Sequence, residues 1–231
     1  DGRLESMTTE GTDRQLLVGK GLFATGKQLV HDAQSHWLYW CDREGMRVFR
    51  AREDGSEITV LVQAGLFPAQ CRDYTRHCVG LAVDHQRGHI YWTQKGPSKG
   101  GKGRILRAGL TLPQGAEADN RPDIEVVMAD RPEPIDLEFD AEAGVMYWTD
   151  RGDAAKGGNS LNSARLVNGR FTDHQILARG LEEGIALVSD RKSGRMWLTD
   201  LGGNVWEYSL TRGGPLRCIF KLGPLTGITY G

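Results

Sequence analysis

The sequence predicts an all-β protein, a β-propeller built of repeated blades with four antiparallel strands in each complete blade. Three observations predict it. Four segments align with one another: Leu38-Tyr39-Trp40-Cys41-Asp42, Ile90-Tyr91-Trp92-Thr93-Gln94, Met146-Tyr147-Trp148-Thr149-Asp150 and Met196-Trp197-Leu198-Thr199-Asp200. Their first aromatic positions, 39, 91, 147 and 197, are 52, 56 and 50 residues apart, which is the period of a propeller blade. An aspartate stands seven residues before each of those aromatics, at Asp32, Asp84, Asp140 and Asp190, and helical periodicity is absent throughout.

Each blade follows from the same reading. A short apolar strand precedes each early aspartate, a polar turn follows it, and the aromatic motif forms the second strand. Two further strands come after: a third beginning near Arg47-Val48-Phe49, Arg104-Ile105-Leu106, Ala164-Arg165-Leu166 and Val205-Trp206-Glu207, and an outer one including Thr59-Val60-Leu61-Val62, Glu125-Val126-Val127-Met128 and Gln175-Ile176-Leu177. The 31 glycines, set between short apolar runs, supply the turns. One domain, 1–231, is therefore expected, with blades at 28–62, 79–128, 135–178 and 184–221. Residues 1–18 read as the third and outer strands of a partial blade, because the stretch 3–18 matches 47–62 at an offset of 44, and 225–230 read as a final inner strand. Five blades closed by the two ends, or an incomplete six-blade arc, both satisfy this count, and the first removes exposed strand edges.

The aromatic motifs resemble the YWTD repeat, the class B repeat of the low-density-lipoprotein-receptor family. Tyr147-Trp148-Thr149-Asp150 matches in full, and the other copies depart at Cys41, at Gln94 and at Trp197-Leu198. The longer stretches around Cys41–Met46, Tyr91–Gly96 and Tyr147–Asp153 resemble a microbial and fungal branch of YWTD propellers, some of which carry a 3-hydroxyacyl-CoA dehydrogenase label. This chain has no GxGxxG between a strand and a helix to support that label. The resemblance implies six blades, so the chain reads as shortened at its N-terminus.

Composition narrows the function. A net charge of −1 argues against binding nucleic acid by phosphate neutralisation, and no apolar run approaches a membrane span. Asp1-Gly2-Arg3-Leu4 does not read as a signal peptide. The four cysteines, Cys41, Cys71, Cys78 and Cys218, show no CxxC pair or zinc spacing, and Cys71 and Cys78 share a loop in which they are either paired or reduced. Without cysteine-rich modules they favour a cytoplasmic over a secreted setting.

Alternating strand direction sends the second-to-third and outer-to-inner loops to one face. That face collects the irregular stretches 65–78, 94–103, 130–134, 150–163, 180–183 and 200–204, and the long connection 110–123 is the exception on the other. A ligand-binding or protein-binding site is therefore expected on the loop-rich face and central channel, with Gln28, Gln70, His77, Gln94, Lys95, Asp136, Asp150, Arg151, Asp153, Glu183 and Asp200 as its candidates. The partner, protein or small molecule, is not named by these residues. The loop Lys95-Gly96-Pro97-Ser98-Lys99-Gly100-Gly101-Lys102 would suit a phosphate or carboxylate. His77, flanked by Asp73 and Cys78, raises the alternative of a nucleophile pair. No cofactor is needed for binding. A lactonase-like hydrolase or isomerase is the catalytic alternative, and it would need calcium held by oxygens from Asp136, Glu183, Asn159, Asn162 and Asp200. A repeat without a site of its own is the third reading.

Overall fold

The computed structural model describes residues 2–230. Each inner strand ends at one of the early aspartates, whose carboxylate accepts amide hydrogens two or three residues on: Asp32 from Gln34 (3.2 Å), Asp84 from Arg87 (3.1 Å), Asp140 from Glu142 (3.0 Å) and Asp190 from Lys192 (3.0 Å). The turn then closes through a left-handed residue, His36, Gly88, Gly144 or Gly194. That local chemistry sets up four hairpins, and each grows into a four-stranded antiparallel sheet.

A short pair comes first, β1 (Leu4–Ser6) with β2 (Gln15–Val18). Blade one is β3 (Gly26–Asp32), β4 (Trp37–Asp42), β5 (Arg47–Arg52) and β6 (Thr59–Gln63). Blade two is β7 (Cys78–Asp84), β8 (His89–Gln94), β9 (Gly103–Gly109) and β10 (Glu125–Arg131). Blade three is β11 (Pro134–Asp140), β12 (Val145–Asp150), β13 (Ser160–Val167) and β14 (Arg170–Arg179). Blade four is β15 (Gly184–Asp190), β16 (Arg195–Asp200), β17 (Asn204–Ser209) and β18 (Arg217–Lys221). Helical structure among the described residues is confined to two 3-10 turns, Tyr74–Arg76 and Ala154–Lys156.

The core is a series of interfaces between neighbouring sheets. One apolar cluster joins blades one and two through Tyr39, Leu81 and Trp92, a second joins two and three through Tyr91, Phe139 and Trp148, and a third joins three and four through Leu161, Leu187 and Leu198. The β1–β2 pair packs on blade one through Val18, Phe23, Trp40 and Phe49, with the Trp40 and Phe49 rings stacked at 5.1 Å. Trp40, Trp92 and Trp148 are fully buried, and each contributes about 1.5–3 kcal/mol or more by leaving water.

Among the described residues there are thus four complete blades and one two-stranded sheet, rather than five closed blades. Residues 225–230 do not form the inner strand expected of them. They run beside the channel without a ladder. Tyr230 anchors the segment by stacking on Trp197 at 5.5 Å. The long connection after β9 also has a structural part. Its Arg121 is buried and donates to the carbonyls of Leu61, Gly109 and Thr111, which straps blade two to blade one on the face away from the irregular loops.

Candidate functional site

The inner strands β3, β7, β11 and β15 stand around a channel, and the segment 226–229 forms its remaining wall. The cavity measures about 760 Å³. Leu29, Val79, Ile135 and Ile185 give it an apolar interior, and Lys27, Gln28, Arg43, Lys95, Asp136 and Arg151 supply its polar groups. The three cations other than Lys27 have a common origin. Arg43, Lys95 and Arg151 each directly follow the last residue of an aromatic motif, so the repeat itself delivers one cation per blade from blades one to three.

Acidic side chains brace these cations. Glu133, almost fully buried, approaches Lys95 Nζ at 3.2 Å and Arg151 at 3.6 Å, and Arg151 also meets Glu183 at 3.0 Å. Arg43 pairs with its neighbour Glu44 at 2.5 Å. Lys27 has no ion-pair partner among the described residues. Burial, then the charge of Arg43, holds its ammonium below the usual lysine range; Glu44 opposes the shift, and Arg151 and Lys95 add to it.

Four of the expected site residues line the cavity: Gln28, Lys95, Asp136 and Arg151. Gln28 accepts the Leu81 amide hydrogen at 3.4 Å, bridging β3 to β7. Asp136 bridges β11 to β15 by accepting from Leu137 and Leu187 at 2.9 Å each, while burial pushes its carboxyl well above the ordinary range. Glu183 reaches the site through Arg151.

The other six are not in the cavity wall. Gln70 braces its own loop by accepting from Leu66 at 2.8 Å, and Asp153 caps the short turn Ala154–Lys156. Gln94 is buried and accepts from Arg104. Asp150 accepts from the Glu133 amide at 2.6 Å and from the Trp148 indole at 3.1 Å. Asp200 accepts from the Glu182 amide at 3.1 Å, the Asn204 amide at 2.9 Å and the Trp206 indole at 2.7 Å. His77 is buried with Nε2 2.7 Å from the Cys71 carbonyl. The nucleophile-pair alternative fails at that point, since burial pushes the Cys78 thiol up to about 12 and the histidine is committed elsewhere. All four cysteines are free, so Cys71 and Cys78 are not bridged.

Of the five residues proposed for calcium, Asn159 has a buried Oδ1 without a partner among the described residues, and the other four have their oxygens engaged elsewhere. Both carboxylate oxygens of Asp136 are taken by backbone amides, Asp200 is saturated by its own loop, Asn162 engages His174 at 3.0 Å and Glu183 engages Arg151. Among the described residues no three acidic, histidine or cysteine side chains gather as a metal site.

The site candidates expected from the sequence did not include Lys27, Arg43 or Glu133. Arg43 was legible as the first member of the series completed by Lys95 and Arg151. Glu133 carries no such signal, since its role depends on two loops meeting.

Comparison with known proteins follows the same lines. No family model matches the chain. It is 42% identical over 238 residues to low-density lipoprotein receptor-related protein 1 of Pyricularia oryzae, covering 98% of this chain and 75% of that protein. It is 37% identical over 232 residues to the 3-hydroxyacyl-CoA dehydrogenase-like protein LAM1 of Cochliobolus heterostrophus, covering 96% of this chain and 49% of that protein, so it spans about half of that relative. Among solved structures it superposes on the propeller of a nidogen/laminin complex with a TM-score of 0.70 at 18% identity, covering 97% of this chain and 75% of that one. It superposes equally on a gluconolactonase of Xanthomonas campestris, with a TM-score of 0.70 at 19% identity and coverage of 99% and 72%. These structural likenesses establish the fold, and no described helix is long and apolar enough to cross a membrane. With the aromatic repeat, the blade architecture and the Pyricularia relative in agreement, the chain belongs to the YWTD-repeat β-propeller family of low-density-lipoprotein-receptor-related proteins.

Proposed function

We propose that this chain is a binding propeller that takes its ligand at the loop-rich mouth of the channel. The observation that carries the reading is the cavity of about 760 Å³ into which four successive blades direct side chains, with polar groups converging over an apolar interior. Concave sites of that size and lining are the usual form of a small-molecule or anchor-residue pocket. The nidogen/laminin likeness is consistent with binding through a propeller face. A lactonase-like reading draws on the gluconolactonase likeness, but the carboxylates of Asp136 and Glu183 are engaged by backbone amides and by Arg151.

The test compares charge reversals on the two faces. Lys95→Glu and Arg151→Glu alter the mouth, and Arg191→Glu alters an inner-to-second turn on the far face. Native mass spectrometry of what the purified chain retains, with lactone and ester hydrolysis assayed in parallel, should show loss only for the mouth variants and no turnover. Retention untouched by the mouth variants, or turnover lost with them, would overturn the binding reading.

A further inference from the structure

We propose that the channel mouth is an anion site: it takes an organic ligand whose carboxylate or phosphate head is held by Lys27, Arg43, Lys95 and Arg151 and whose apolar body lies against Val79, Ile135 and Ile185. The proposal rests on the mouth being the binding face and specifies what that face recognises.

The arrangement of charge carries it. All four basic side chains line the cavity, whereas the carboxylates that brace them, Glu44, Glu133 and Glu183, stand outside the lining. Asp136, the one acidic residue lining the cavity among the described residues, has both oxygens directed to backbone amides of β11 and β15. The wall therefore presents cations inward and their counter-charges outward. Glu133 holds Lys95 and Arg151 from behind, so both heads are oriented before a ligand arrives, which lowers the ordering cost of binding. Lys27 makes no ion pair among the described residues, and on the cavity surface the repulsion from Arg43, Arg151 and Lys95 together outweighs the attraction of Glu44. An anion arriving there relieves that repulsion and gains charge-assisted hydrogen bonds from two guanidinium groups. Below the cations the lining turns apolar, which suits a ligand with a hydrocarbon body better than a bare inorganic ion.

The same chemistry is offered by a free small molecule or by an acidic side chain set among apolar residues in a partner polypeptide. Calorimetry on the full chain separates them. One arm uses adamantane-1-carboxylate and its isosteric carboxamide, and the other a capped Leu-Asp-Leu peptide and its Leu-Asn-Leu counterpart. Saturable binding of one anion is expected, with its neutral counterpart weaker by about tenfold or more and the affinity falling as salt is raised. The arm that binds identifies the source. Lys27→Met and Arg151→Gln should each weaken the anion by about tenfold, Lys27→Arg should retain it, and Arg191→Gln on the far face should not matter. The carboxylate–carboxamide comparison in the unaltered chain needs no variant to fold. Neutral probes binding as well as the anions, or neither anion saturating, would overturn the anion site. If that happens while the mouth reversals still abolish retention of a partner, the binding face stands and only the anion assignment falls; if the reversals also change nothing, both fall.

Discussion

The aspartate that ends three of the four aromatic motifs acts as a staple for the loop that leads into its own blade. Asp42 accepts from the Ala24 and Thr25 amides at 3.1 and 2.8 Å, Asp150 from that of Glu133, and Asp200 from that of Glu182. The indole partner varies between the copies, and the indoles of Trp40 and Trp92 have no hydrogen-bond partner among the described residues. Trp148 donates to Asp150 within one strand. Blade four has Leu198 at the corresponding place, and its cross-strand neighbour Trp206 donates to Asp200 instead. The two staples nevertheless titrate in opposite senses. At Asp150 burial outweighs the hydrogen bonds and raises the pKa from 3.8 to about 6. At Asp200 burial is opposed by more donors, Trp206 and Asn204 foremost, and the pKa lies below the usual value. A raised carboxyl favours the folded state below its unfolded pKa and loses that contribution as pH rises through about 6. Asp150→Asn should therefore remove a fall in stability, of order 3 kcal/mol at most, between about pH 4 and 6, read from urea unfolding across that window. Asp200→Asn should remove a contribution of the other sign, one that wild type gains above the ordinary aspartate pKa and loses as pH falls through its depressed value. Parallel pH profiles for the two variants would contradict the distinction. The repeat made these aspartates visible in the sequence, but their environments were not, because identical motif letters meet different cross-strand partners.

Between blades, the next-to-last residue of each of the first three motifs forms a stitch to the next sheet. Cys41 Sγ approaches the Gly80 carbonyl at 3.5 Å, Thr93 Oγ1 donates to the Ile135 carbonyl at 3.0 Å, and Thr149 Oγ1 reaches that of Ile185 at 3.5 Å. Thr93 Oγ1 also accepts from the Gly80 amide at 2.7 Å, and Thr149 Oγ1 from that of Asp136 at 3.2 Å. Thr199, in the last complete blade, is buried and has no partner for its hydroxyl among the described residues. Thr93→Val should then cost about 1–3 kcal/mol by stranding buried backbone groups, while Thr199→Val should be neutral or slightly stabilising, both read as urea midpoints at unchanged slope. Equal losses at the two positions would refute the stitch. Gly80 shows why the approach must be close. A Cβ there would lie 2.0 Å from the Ile135 carbonyl oxygen, so Gly80→Ala should separate blades two and three and destabilise by several kcal/mol. Strands and turns were legible from local pattern, because hairpin chemistry lies within a few residues. The segment 225–230 was not, because its apolar alternation promises a strand only if a neighbour supplies the ladder. The site divides the same way. Lys95 and Arg151 were found beside a repeated motif, whereas Gln94 and His77 looked like loop polar groups and are buried structural ones.

As a whole the molecule is a linear series of sheet-to-sheet interfaces, and its stability should be distributed accordingly. Blades two and three are covered on both sides, by the clusters that join one to two, two to three and three to four. Blade one is covered by blade two and by the smaller β1–β2 pair. Blade four has one packed face, the segment 225–230 runs along it without a ladder, and Phe220 on its outer strand is 62% exposed. In arrays held by nearest-neighbour contacts, the unit with the fewest neighbours opens first. Amide hydrogen exchange should therefore be slowest in β7, β8, β11 and β12, intermediate in β4 and β5, and fastest in β17 and β18. An anion at the mouth would tie Lys27 and Arg43 of blade one to Lys95 of blade two and Arg151 of blade three, and these lie on the already protected side. Ligand should accordingly slow exchange in blades one to three and leave β17 and β18 nearly unchanged. Uniform protection across all four blades would mean that the ends are coupled as strongly as the middle, and the linear description would have to give way to a closed one.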